Sequence, residues 1–100
     1  MKAGANLSDE EAVHVLGALA QTTRLAVFRV LMARAPHALS AAEIAAVLKV
    51  KASSLSLPLT RLKGAGLIRQ VADKRPGTYA LDRKCVRGMA RLFELKAAKA

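Results

Sequence analysis

SAAEIAAVLKVKASSLSLPLTRLKGAGLI, residues 40–68, carries two short helical patterns joined by a tight link. Ser40 and Glu43 fit the S-x-x-E capping box, so a helix is expected to start at Ser40. Ala41, Ile44, Ala45 and Leu48 then share one face at helical spacing. Lys49 to Ala52 leaves room only for a turn. Leu55, Leu59 and Leu62 follow at i, i+4 and i+7, and Gly66 stands where a helix usually stops. Two helices on a short turn, the second rich in small polar and basic residues, describe a helix-turn-helix.

In that second helix the leucines anchor one side. The other side presents Ser53, Ser56, Leu57 and Thr60, with Arg61 and Lys63 on its flanks. Small hydroxyls and cations of this kind reach bases and phosphates in a major groove. Ser53 and Ser54 have a second possible role as helix caps. Pro58 conflicts with an unbroken helix, because an interior proline removes a backbone bond and clashes with the preceding turn, at about 3 kcal/mol. Three resolutions are open: a kink, first turns set at another angle, or a helix that begins later.

The charge is lopsided. Residues 1–48 balance four basic residues against four acidic ones, whereas residues 49–100 set thirteen basic residues against Asp73, Asp82 and Glu94 and carry the whole formal net charge of +10. Charge that begins at the expected turn is the footprint of a polyanion partner, beyond what a merely soluble basic surface requires. One hundred residues make one domain, small enough that dimerisation would help it. The apolar fraction of 53% with 3% aromatics suits helix packing. No apolar run approaches the roughly 18 residues that span a membrane, the first residues do not form a signal peptide, and a single cysteine gives no disulfide framework, so a cytoplasmic location is expected.

Residues 1–7 are expected to be a loose tail and residues 8–97 the domain. Ser8 and Glu11 form a second capping box, and Asp9 and Glu10 set negative charge at a helix N-terminus, which accounts for this acidic trio without an acid–base role. That helix runs to about Ala20 with Ala12, Val15, Leu16 and Leu19 apolar. The next, from about Thr23 to Ala35, is expected to bury Leu25, Val27, Phe28, Leu31 and Met32 and to turn Arg24, Arg29 and Arg34 to water or phosphate. His14 and His37 are lone imidazoles without a second ligand at metal spacing. Leu67 to Val71 and Thr78 to Leu81 alternate as strands around the turn cluster Asp73-Lys74-Arg75-Pro76-Gly77. They predict a β-hairpin wing with Lys74 and Arg75 at its basic tip and Tyr79 packing its base.

Asp82 can cap a last helix. Its apolar stripe is Val86, Met89, Ala90, Phe93 and Ala97, and its basic stripe is Arg83, Arg87 and Arg91. The apolar stripe can pair with the first helix of a second copy or pack back on its own domain. In the first case Val15, Leu16 and Leu19 would meet Met89, Ala90 and Phe93 in a dimer interface. Cys85, beside Lys84 near the helix start, is a possible redox site because a cationic helix N-terminus lowers a thiol pKa.

Three segments resemble the ArsR/SmtB family of winged helix repressors. Residues 16–34, LGALAQTTRLAVFRVLMAR, resemble its L-x-A-L-A-x-x-T-R-L opening. Residues 53–68, SSLSLPLTRLKGAGLI, resemble its S-T-x-S-x-H-L-x-x-L-x-x-A-G-L-V recognition segment, and residues 77–81, GTYAL, its wing return strand. The likeness covers about residues 10–95. It implies a bacterial homodimer that binds operator DNA and releases it with an effector, with groove contacts at Ser53, Ser56 and Leu57 and wing contacts at Lys74 and Arg75. Pro58 replaces the family's usual His, Leu57 a usual polar residue, and Lys51 a frequent Ser N-cap, which trades a cap for a phosphate contact. The C-x-C pair and last-helix ligand clusters of the family's metal sensors are missing, as is the dithiol of its persulfide-sensing branch, so neither a metal nor a cofactor is expected.

The expected fold is mainly α with a small β-hairpin, a winged helix-turn-helix in the order α-α-α-α-β-β-α. The expected function is a homodimeric regulator, a repressor, that reads an inverted repeat in double-stranded DNA through Lys51, Ser53, Ser54, Ser56, Leu57, Thr60, Arg61, Lys63, Lys74 and Arg75, with its effector left open. The rival is a winged-helix interaction module or anti-repressor that has lost specific DNA reading, for which Pro58 and Leu57 speak and the +10 speaks against. No Ser/His/Asp set, paired carboxylates in a cleft or phosphate-binding Gly loop points to an enzyme.

Overall fold

Two reciprocal capping boxes place the first and third helices. In a computed structural model that describes residues 6–71 and 77–94, Ser8 Oγ accepts the Glu11 N–H (3.1 Å) while Glu11 Oε1 accepts the Ser8 N–H (2.8 Å). This starts α1, Asp9–Leu19. Leu7, assigned to the loose tail from sequence, instead packs half-buried against the core, just ahead of the cap. The Gln21 side chain accepts the Arg24 N–H (2.9 Å) and starts α2, Thr22–Arg34. Arg24 was expected to face water or phosphate. Its Nε instead donates to the Ala18 carbonyl (2.6 Å), satisfying a carbonyl at the end of α1 and tying the two helices together.

Helix α2 buries Val27, Phe28, Val30 and Leu31. Leu25 and Met32, expected in the core, are 41% and 44% exposed. Apolar residues surround this helix, so periodicity does not select its inner face; at 100° per residue Leu25 and Met32 fall opposite Val27 and Leu31, and Val30 takes their place.

After α2 comes β1, Leu39–Ser40, a strand of two residues absent from the sequence-based expectation. It leads into α3, Ala41–Leu48, where Ser40 and Glu43 exchange the second capping box at 3.1 and 2.7 Å. Lys49 ends α3 in the left-handed region (φ 60°). A 3-10 turn over Ala52–Leu55 then precedes α4, Ser56–Gly64. The helix therefore begins later, and Pro58 is its third residue. The first N–H groups of a helix have no intrahelical acceptor, so the proline forfeits no bond there. Leu55, Leu59 and Leu62 are all buried across the break, at 0, 2 and 0% exposure.

Gly66 (φ 86°) closes α4 with a pair of bonds, its own N–H to the Lys63 carbonyl (3.0 Å) and the Leu67 N–H to the Leu62 carbonyl (3.1 Å). This is the Schellman arrangement, with Leu62 and Leu67 both fully buried beneath it. Strands β2, Ile68–Gln70, and β3, Thr78–Leu81, pair antiparallel with Ile68 opposite Leu81 and Gln70 opposite Tyr79. Strand β1 joins the far side of β3, Leu39 opposite Tyr79. The expected hairpin is thus part of a three-stranded sheet in the order β1-β3-β2. Tyr79 lies partly buried against the core, as expected.

Asp82 accepts the Cys85 N–H (3.0 Å) and starts α5, Arg83–Leu92. Val86 and Met89 pack on the core, whereas Ala90 is exposed and Phe93 is 68% exposed. Ala97 and the expected domain end at residue 97 lie outside the described residues.

The two left-handed caps should respond to substitution with opposite sign. An added Cβ at Gly66 meets no atom within 4 Å, so Gly66→Ala carries only the conformational cost, about 1–2 kcal/mol, and should lower the urea midpoint. Lys49→Gly removes that same strain and should raise the midpoint, by up to about 1 kcal/mol.

Candidate nucleic-acid interface

Every residue of the expected DNA-facing set between positions 51 and 63 is exposed: Lys51, Ser53, Ser54, Ser56, Leu57, Thr60, Arg61 and Lys63. The 3-10 turn and α4 bring them together because their apolar partners, Leu55, Leu59 and Leu62, are pinned in the core behind them. Lys74 and Arg75 lie outside the described residues.

The hydroxyls are not equivalent. Ser54 gives its N–H (3.0 Å) and its hydroxyl (2.6 Å) to the Lys51 carbonyl, so it holds the 3-10 turn and does not cap α4. Thr60 Oγ1 donates to the Ser56 carbonyl one turn back (2.9 Å). Both remain able to accept a bond, but their protons are committed. The hydroxyls of Ser53 and Ser56 carry no such bond among the described residues. Leu57, at 59% exposure, is the large apolar side chain of this face.

No side chain caps the start of α4, in contrast to α1, α2, α3 and α5. The positive end of its dipole is left without a protein carboxylate or hydroxyl, an arrangement that suits a phosphate. Residues 49–71 contain no acidic side chain, and Lys49, Lys51, Arg61, Lys63 and Arg69 are all exposed. Lys63 Nζ also reaches Gln70 Oε1 (3.2 Å), which links the last turn of α4 to the wing. Arg69 was missed from sequence. Its signal is the strand alternation itself: Ile68 is buried and its neighbour on β2 must face out.

The expected dimer residues divide. Leu16 (41%) and Phe93 (68%) are exposed, joined by Val13 (69%) and Leu92 (41%), which the sequence reading did not single out. Leu19 and Met89 are half-buried against the core. Val15 is 2% exposed within the protomer's own core and offers no side-chain surface to a partner. At the other end of α1, Cys85 borders an open hollow of about 440 Å³ with Leu7, Glu11, His14 and Asp82. The expected cationic setting is overturned. Burial pushes the thiol pKa up, and the charges of Asp82 and Glu11 raise it further. Lys84 precedes Cys85 on the helix, and side chains one residue apart do not face each other, so sequence adjacency gave the wrong sign. Among the described residues, no three His, Cys, Asp or Glu side chains cluster to hold a metal, and no single helix is long and apolar enough to cross a membrane.

Residues 19–71 match a family profile described as a helix-turn-helix domain, over half of the chain. Among solved structures, the chain is similar to reduced HlyU from Vibrio cholerae, with 26% identity, a TM-score of 0.65, and coverage of 86% of this chain and 92% of that one. A second HlyU structure from Vibrio cholerae matches at 28% identity and a TM-score of 0.64, with 84% and 92% coverage. No curated protein sequence matches the chain.

Burial, with the charges of Asp82 and Glu11, raises the thiol pKa of Cys85. Alkylation by iodoacetamide at pH 7 should run slower than that of a free thiol such as glutathione, and should accelerate only on the alkaline side of the ordinary thiol range of about 8.5. Mass spectrometry of the quenched protein reads the rate.

Proposed function

The chain belongs to this helix-turn-helix domain family, whose fold makes it a DNA-binding transcription regulator, and from that premise we propose that it is a homodimeric repressor of the ArsR type that reads an inverted-repeat operator without a metal effector. The observation that carries this is the face of α4 and its preceding turn: exposed small hydroxyls and Leu57, framed by cations with no acidic residue from position 49 to 71. Phosphate contacts by Lys51, Arg61, Lys63 and the wing residues Lys74 and Arg75 would set the register. Ser53, Ser56 and Leu57 would meet base edges.

A dimer is supported by the exposed apolar side chains of α1 (Val13, Leu16) and of α5 and its C-cap (Leu92, Phe93), together with the exposed Ala90. Pairing through them would set two copies of α4 about one DNA turn, roughly 34 Å, apart. Exposure of Leu57 also favours a second reading, a winged-helix module that binds a protein and holds DNA only through phosphates.

Fluorescence anisotropy on the chain's own upstream DNA and on a scrambled duplex separates the two. A specific regulator should prefer its own sequence by about a thousandfold or more. With about six phosphates neutralised per dimer, log affinity should fall with log salt at a slope near −5. Equal binding to both duplexes would favour the interaction module, and a slope near zero would rule out a phosphate-dominated interface. Light scattering should give twice the 10.6 kDa of the chain, and Phe93→Glu should return the monomer mass and weaken operator binding, because it places a charge in an apolar contact.

A further inference from the structure

The segment that leads into and opens α4, residues 52–60, reads ASSLSLPLT and contains no Arg, Lys, Asn, Gln, Asp or Glu. The side chains that make paired, base-discriminating hydrogen bonds in a major groove are therefore missing from the part of a recognition helix that meets base edges. Hydroxyls do not fill the gap. Ser54 and Thr60 have given their protons to the carbonyls of Lys51 and Ser56. Ser53 and Ser56 can donate or accept, and so bond to any base with little preference.

The large apolar side chain of this face has a surface that one base in particular complements. Leu57 is the second residue of α4 and 59% exposed, while Leu55 and Leu59 on either side of it are at 0 and 2%. Packing inside the protomer does not call for an apolar side chain there. In the major groove the apolar feature is the 5-methyl group of thymine. We propose that Leu57 determines sequence preference by packing on the thymine 5-methyl group in each half-site, so that this protein reads its operator by methyl contact more than by paired hydrogen bonds. This rests on the DNA-reading role proposed above and names the base class that role selects.

The test uses duplexes recovered by the full-length chain from a randomised pool, with uracil replacing thymine one position at a time. Uracil removes the methyl group and leaves the base pairing intact. At one or two positions per half-site, uracil should weaken binding about fourfold, which is what burial of one methyl-sized group supplies. Leu57→Ala should bind the thymine and uracil duplexes equally at those positions. Leu57 lies outside the core, so this variant keeps the fold. Arg61→Ala should weaken both duplexes and preserve their ratio. The proposal is overturned if no thymine methyl matters, or if the thymine-to-uracil ratio survives in Leu57→Ala. A pool that yields no consensus would overturn sequence-specific reading itself, a failure distinct from the first two.

Discussion

Leu67 ties α4, the wing and α5 together. Its N–H donates to Leu62 at the end of α4, its carbonyl accepts the Asp82 N–H at the start of α5 (2.8 Å), and its side chain is fully buried. One residue thus fixes where the helix stops, where the wing begins and where the last helix starts. The reversal that makes this possible is at Gly66, whose positive φ an L side chain adopts only at a cost. It lets the chain turn from α4 into β2 over the three residues 65–67, and Lys63 Nζ reaches Gln70 Oε1 across that corner.

The opposite end of α4 is built on different physics. Among the described residues a side-chain oxygen caps each of α1, α2, α3 and α5, and at α4 a 3-10 turn takes that place. The turn absorbs Pro58 into the first turn of the helix, where a missing N–H costs little. It also keeps Leu55 in the same buried column as Leu59 and Leu62. The consequence for binding is a helix start without a side-chain cap, few free hydroxyl protons and one exposed leucine. Such a surface is better suited to phosphate contacts than to paired hydrogen bonds with base edges.

The α1 and α5 side of the molecule shows how three-dimensional neighbours override sequence neighbours. Cys85 is next to Lys84 in the chain, yet the charges that act on its thiol are Asp82, one turn back, and Glu11 from another helix. Both carboxylates serve as helix caps, so the same groups that start α1 and α5 add to burial in raising the thiol pKa. Arg24 repeats the lesson: a cation with the pattern of a solvent-facing residue is tied to the Ala18 carbonyl.

The chain by itself determined the elements whose signals are local. Both capping boxes, the glycine stop at residue 66, the Asp82 cap and the leucine column of residues 55, 59 and 62 stand where the residue pattern placed them, because each depends on side chains within one or two turns of one another. The exposure of the residues from Lys51 to Lys63 that were expected to face DNA was legible for the same reason: once the leucines are inside, helical periodicity forces the others out. Tertiary structure alone decided what depends on distant partners. Two-residue β1 exists because β3 offers it an edge. The inner face of α2 was chosen by its neighbours, since its own apolar residues run all round, and Val15 went to the core in preference to a surface for the same reason. Pro58 left three geometries open from sequence, and the packing of Leu55 beside α3 selected the late start, because only that one keeps the leucine column buried without an interior proline.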